Sequence, residues 1–158
     1  MKFNYPRSHT VRRRKKMNKK PRYFDLEEFL TSSTARQKSI ENLPGWDVME
    51  HLLELALFLD ELREAWGSGI NVTSGYRNKA LNKAVGGVES SVHMIGYAAD
   101  IVPANGKFTE FAKFVENWVK NKKVDQVIIE SSKKSRWIHV GLYNNKHQQR
   151  HMVFLMNV

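Results

Sequence analysis

Between residues 48 and 66 the apolar side chains Val48, Leu52, Leu55, Ala56, Leu59, Leu62 and Trp66 recur at helical spacing, and the run stops at Gly67. A stripe of that width has to be covered by a second apolar layer, so this helix predicts a two-layer domain. The rest of the chain supplies candidates for the other layer. Ile70, Val72 and Ser74 read as one side of a short strand ending at Gly75, and 97–102 reads as a strand stopped by Pro103. Segments 124–130 and 136–143 flank a polar turn of Ser and Lys, the pattern of a hairpin, and 151–156 is a candidate last strand. A second amphipathic helix is expected to open at Thr109, with Phe111, Phe114, Val115, Trp118 and Val119 on one face. The expected class is α+β, a small and mostly antiparallel sheet with helices packed to one side.

Helix starts carry their own signals. Asp25 stands three residues before Glu28, and Asp47 three before Glu50, so both pairs predict capping boxes. Segment 31–45 is polar, ends in Pro44-Gly45 and reads as a surface connection with one short helical turn. Asn78 to Ala84 has room for one or two helical turns before Gly86-Gly87.

The formal charge of +10 lies in one place. Residues 1–22 hold ten Lys and Arg and no acid, which leaves the remainder with as many bases as acids. Residues 1–22 are therefore expected to be a disordered basic arm, open to contact with nucleic acid or an anionic wall polymer, ahead of one domain at 23–158. The chain has no cysteine, so any metal must be held by His, Asp or Glu. It also lacks an apolar run of about 18 residues, or an N-terminal apolar stretch of the kind that marks a secretory signal. No membrane span and no export signal are expected, and a monomer is expected.

Three stretches carry polar residues that packing does not explain: Thr73-Ser74-Gly75-Tyr76-Arg77, the run from Ser91 through His93 to Asp100, and Arg136-Trp137-Ile138-His139-Val140. A hydrolytic zinc site takes three N or O ligands and leaves a place for water, and His93, Asp100 and His139 are a sufficient set. Alternation supports this. Ile138, Val140 and Leu142 share one face, so His139 points to the other, with Gly141 clearing space beside it. If the hairpin pairs like faces, Gln126, Ile128 and Glu130 look the way His139 does, while Val127 and Ile129 face the core. Ala98 keeps the Asp100 side of its strand small, and His93 must reach in from the loop before Gly96.

These residues carry a resemblance. Ser74-Gly75-Tyr76-Arg77, Leu81-Asn82 with Val85-Gly86-Gly87, Ser91-x-His93 with Gly96-x-Ala98-x-Asp100, and Trp137-Ile138-His139-Val140 together resemble the zinc D-alanyl-D-alanine carboxypeptidase family. That family belongs to a wider group of peptidoglycan metallopeptidases that includes phage endolysin-like enzymes. The likeness runs from about Tyr23 to Tyr143. It implies a metallopeptidase fold, one zinc ion on His93, Asp100 and His139, and hydrolysis of a bond in the peptidoglycan stem peptide. The bond is either the D-Ala-D-Ala one or one of the L-Ala-D-Glu type. Arg77 would steady the developing oxyanion or hold a substrate carboxylate.

The general base does not carry over. Some relatives have a Glu three residues before the last ligand, where this chain has Arg136, and others a His two before it, where it has Trp137. Glu130 on the neighbouring strand is the candidate, with Asp125 in reserve. Ser91, Tyr76 and Asn82 are expected to tie turns or support the ligands, and Trp137 to flank the cleft or pack. His9, His51, His147 and His151 have no motif around them. Wall chemistry without an export signal suggests a phage or prophage product that stays cytoplasmic until release. A catalytically weak wall- or nucleic-acid-binding protein, such as a virion component, is the alternative.

Overall fold

The computed structural model describes residues 19–158; most of the basic arm, with His9, lies outside the described residues. The architecture is α+β. Its helices, in order, are α1 (Ser33–Gln37), α2 (Trp46–Trp66), α3 (Lys79–Ala84) and α4 (Phe108–Trp118), with 3-10 turns at Leu26–Phe29, Val92–Ile95 and Val119–Asn121. The strands are β1 (Ile70–Ser74), β2 (Ala98–Pro103), β3 (Gln126–Ser131), β4 (Arg136–Gly141) and β5 (Met152–Asn157), in the sheet order β1-β2-β4-β3-β5. Three of the pairings are antiparallel, but β5 returns parallel to β3, so the sheet is mixed. The reason lies between β4 and β5. Residues 142–151 are too many for a tight hairpin, and they carry the chain around β3 to its far edge before β5 begins.

The apolar stripe of α2 finds its second layer as the sequence predicts. Leu52, Leu55, Ala56, Leu59 and Leu62 are fully buried, and they share one core with Phe111 and Val115 of α4 and with Ile101, Val127, Ile138 and Val140 of the sheet. Because β-strand side chains alternate, packing both helices on this face leaves the other face of β2, β4 and β3 free for Asp100, His139 and Glu130.

Several boundaries differ from the sequence expectations. The Asp25–Glu28 capping box forms, but α2 starts at Trp46 with Gly45 as its cap, which places Asp47 inside the first turn. There its carboxylate complements the helix dipole without capping a backbone N–H. Helix α4 likewise begins at Phe108, one residue before Thr109, whose hydroxyl accepts a bond from Arg136 instead. Pro103 is the last residue of β2 and pairs with Ile70, rather than lying beyond the strand.

The most consequential departure is in β1. Val72 lies opposite Ile101, but Ser74, not Thr73, lies opposite Asp100, so Thr73 is an extra residue that bulges the strand. The bulge takes Ser74 off the side it would share with Ile70 and Val72 and turns it to the face of Asp100. Segment 31–45 is also more than a surface connection. Buried Asn42 donates to the carbonyls of Tyr76 (2.9 Å) and Leu30 (3.2 Å) and accepts from the Asn78 N–H (2.8 Å), which fixes the turn after β1.

Entry into β5 is held by a charge pair. Asp125 is completely buried, and its two oxygens accept from Arg150 Nε (2.7 Å) and Nη2 (2.8 Å). Burial alone would raise its pKa, but the bonds from Arg150 override this and hold the carboxyl below its ordinary value. The pair therefore contributes stability above the unfolded carboxyl value, about 4, that is lost as pH falls through the depressed folded value. Arg150→Ala should leave a buried, unpaired carboxylate and lower the melting temperature at about pH 7. The gap from the parent should narrow near pH 3.5, where protonation relieves that charge, and thermal denaturation at the two pH values measures it.

Candidate metal centre

The site forms where the end of β1, the Val92–Ile95 turn, β2 and β4 converge. Gly75 is the first fixed point. A Cβ there would lie 2.3 Å from the Phe29 carbonyl oxygen, so only glycine lets the chain pass this close to Phe29. The passage brings the Gly75 carbonyl within 2.7 Å of His93 Nδ1. Since a carbonyl only accepts, Nδ1 carries the proton, and the lone pair of Nε2 is aimed at Asp100 Oδ1, 3.4 Å away. The same carboxylate oxygen faces His139 Nδ1 at 3.0 Å, across the β2–β4 pairing that sets Asp100 opposite His139.

Ligand atoms of His93, Asp100 and His139 all lie within 4.8 Å of one another. Donor atoms around a tetrahedral zinc, at metal–donor lengths of about 2.0–2.1 Å, stand about 3.3 Å apart. The two separations at Asp100 Oδ1, 3.4 and 3.0 Å, bracket that value. A lone pair on Nε2 facing a carboxylate oxygen is repulsive unless a cation sits nearby, so the chemistry of the donor set fits a divalent metal.

Charge states agree. Burial depresses the His93 pKa, against the pull of Asp100, so the ring is neutral and its nitrogen is free to ligate. For Asp100 burial acts to raise the pKa, but the facing His93 and His139 rings outweigh it and hold the carboxyl far below the ordinary carboxylate range. A carboxylate held ionised beside the unprotonated Nε2 of His93 is what a metal requires.

Arg77 supports this carboxylate from the other side. Its Nη2 reaches Asp100 Oδ2 at 3.5 Å, its Nε donates to Ser74 Oγ at 3.2 Å, and its Nη1 to Asn82 Oδ1 at 3.4 Å. The bulge in β1 is what brings Ser74 within reach. Gly87 serves the same anchor, because a Cβ there would lie 2.1 Å from Asn82 Oδ1 and displace it. Burial lowers the Arg77 pKa while Asp100 and Glu130 raise it, and a guanidinium stays charged throughout. Of its five N–H donors these three bonds use one on each nitrogen, which leaves one on Nη1 and one on Nη2.

The β3–β4 register puts Ile128 opposite His139 and Glu130 opposite Trp137, all on the face of the cluster. Glu130 and His139 line one cleft of about 700 Å³, together with Ser91, Val88, Ile128 and Met156. Burial and the Asp100 charge raise the Glu130 pKa, while His139, the Trp137 indole N–H and Arg77 pull it back. Asp125, by contrast, is spent on Arg150. Arg136 is on the opposite side of β4 from His139 and lies over the Phe108 ring, 4.6 Å from its centroid.

Tyr76 turns inward and joins the core. His51 bonds the Ile95 carbonyl at 2.7 Å and stacks on Tyr97, and His147 stacks on Tyr143. The contribution of β5 to the cleft through Met156 went unread in the sequence. Its only signal there is a run of apolar residues with no polar motif.

Removing the outer support should loosen the centre without destroying it. Arg77→Gln is expected to weaken zinc affinity about tenfold, and Asp100→Asn to abolish stoichiometric binding, as read by competition with a chromogenic chelator.

A family model described as Peptidase M15 matches residues 22–141, a span that contains every residue of the cluster. No curated protein matches the chain. The match covers most of the sequence and both arms of the His93–Asp100–His139 centre, and the chain belongs to the peptidase M15 family, zinc peptidases related to the D-Ala-D-Ala carboxypeptidases.

Proposed function

We propose that this chain hydrolyses a peptide bond in the peptidoglycan stem peptide, as a D-Ala-D-Ala carboxypeptidase or an endopeptidase of the L-Ala-D-Glu type. The observation that carries the proposal is one cleft lined both by His139 of the metal cluster and by the Glu130 carboxylate. His93, Asp100 and His139 would hold a zinc ion, which would supply Lewis-acid polarisation and acidify water when bound. The remaining chemistry belongs to the chain. Glu130, with its pKa raised by burial, is suited to take up a proton at its carboxylate and return it to the leaving amine. The spare N–H donors of Arg77 are suited to hold an oxyanion or a substrate carboxylate beside Asp100.

The positions where relatives keep acid–base residues hold Arg136, which is turned away, and Trp137, which lies against Glu130. Glu130 stands in for them from the neighbouring strand, so the departure at 136 and 137 does not favour an inactive binding protein. No described helix is long and apolar enough to cross a membrane. The division into an arm at 1–22 and a domain at 23–158 is part of the proposal, as are a monomeric state, action on the wall after release from a phage-infected cell, and arm contact with polyanions. Arg22 already touches the domain, with its guanidinium 3.2 Å from Glu64 of α2.

Purified peptidoglycan should release soluble peptides with the zinc-loaded protein and none after chelation; release that survives metal stripping overturns the proposal. Glu130→Gln should keep its zinc and lose about 10²- to 10⁴-fold in kcat, as measured on isolated stem peptides. Deleting residues 1–20 should leave that rate unchanged and remove salt-sensitive retention on a polyanion column.

A further inference from the structure

The row of side chains that crosses the sheet at the His93–Asp100–His139 cluster does not end at β3. Asp100 pairs with His139, His139 with Ile128, and Ile128 with Phe154 of β5, all on one face. The neighbouring rows continue the same way, Gln126 to Met152 and Glu130 to Met156. With strands about 4.8 Å apart, Phe154 stands roughly 10 Å from the row position of His139. The result is an apolar shelf beginning at Ile128 inside the cleft and running out over Met156, Phe154 and Met152.

Met152, Phe154 and Met156 are each 37–38% exposed. Their placement is also specific to this part of the chain, since the family match ends at residue 141 and β5 follows it. The chemistry of the shelf selects its occupant. It offers a thioether and aromatic surface beside the Glu130 carboxylate, and the same cleft carries the polar loop side chains Asn144, Lys146 and Gln148. A long unbranched methylene chain with a polar end suits this surface, because it can lie on the apolar floor and keep its head in water.

We propose that β5 forms a substrate subsite, with Met156 and Phe154 receiving the aliphatic side chain of the stem peptide's diamino acid. The inference rests on the peptidase assignment for the identity of its ligand. In catalytic terms the shelf fixes which residue lies over Ile128, and so which peptide bond comes to rest between His139 and Glu130.

The test uses zinc-loaded full-length Glu130→Gln protein, so that peptides bind uncut, and calorimetry with two stem peptides that differ only in lysine or alanine at the diamino-acid position. The lysine peptide should bind about tenfold more tightly, the worth of two or so buried methylenes. Phe154→Thr with Met156→Thr, exposed strand positions given a residue that suits strands, should erase that preference and leave the alanine peptide unaffected. Equal binding of the two peptides, binding of neither, or a preference that survives both substitutions overturns the subsite. Cleavage is scored separately on the parent protein. A parent that discriminates but does not cut counts against the hydrolase proposal alone, and one that cuts both peptides with equal KM counts against the subsite alone.

Discussion

Burying the Asp100 carboxylate would cost several kcal/mol were its oxygens not each assigned a partner. Oδ1 faces two imidazoles and Oδ2 a guanidinium, so one side chain collects His93, His139 and Arg77, which arrive from three different segments. The surrounding structure can be understood as the means of bringing these four groups together. Strand pairing delivers His139, a close passage at Gly75 orients His93, and a bulge in β1 supplies the hydroxyl that steadies Arg77.

Division of labour between the faces of the sheet follows from the same alternation. One face is closed by α2 and α4 and provides most of the buried apolar area, which stabilises the fold at roughly 25 cal/mol per Å². The other face is free of that duty and can hold charge. Polar residues at positions 100, 130 and 139 therefore cost the core nothing, and the packed layer behind them limits how far these side chains can drift.

Charges that resemble each other in the sequence have different work in the fold. Asp125 and Glu130 lie five residues apart on one segment, and both were candidates for proton transfer. Alternation separates them: Asp125 points into a fully buried pair with Arg150 and anchors β5, while Glu130 opens onto the cleft with a raised pKa. Arg77 and Arg136 part in the same way, the first beside Asp100 and the second stacked over Phe108.

Local physics sufficed for much of this. Periodicity alone located α2 and its buried face, the β3–β4 hairpin and the side of β4 on which His139 stands, because spacing of 3.6 or 2 residues is written directly in the chain. Residue chemistry, joined to a resemblance spread over four motifs, pointed to the three residues that the fold gathers into the His93–Asp100–His139 cluster. What spacing could not carry was anything set by long-range pairing. The parallel return of β5, the bulge that turns Ser74 toward Asp100, the capture of Asp125 by Arg150 and the role of Asn42 all join residues 25 or more positions apart or depend on strand register. Such contacts are decided by which surfaces remain unsatisfied once the core has closed, and only the folded chain makes that choice.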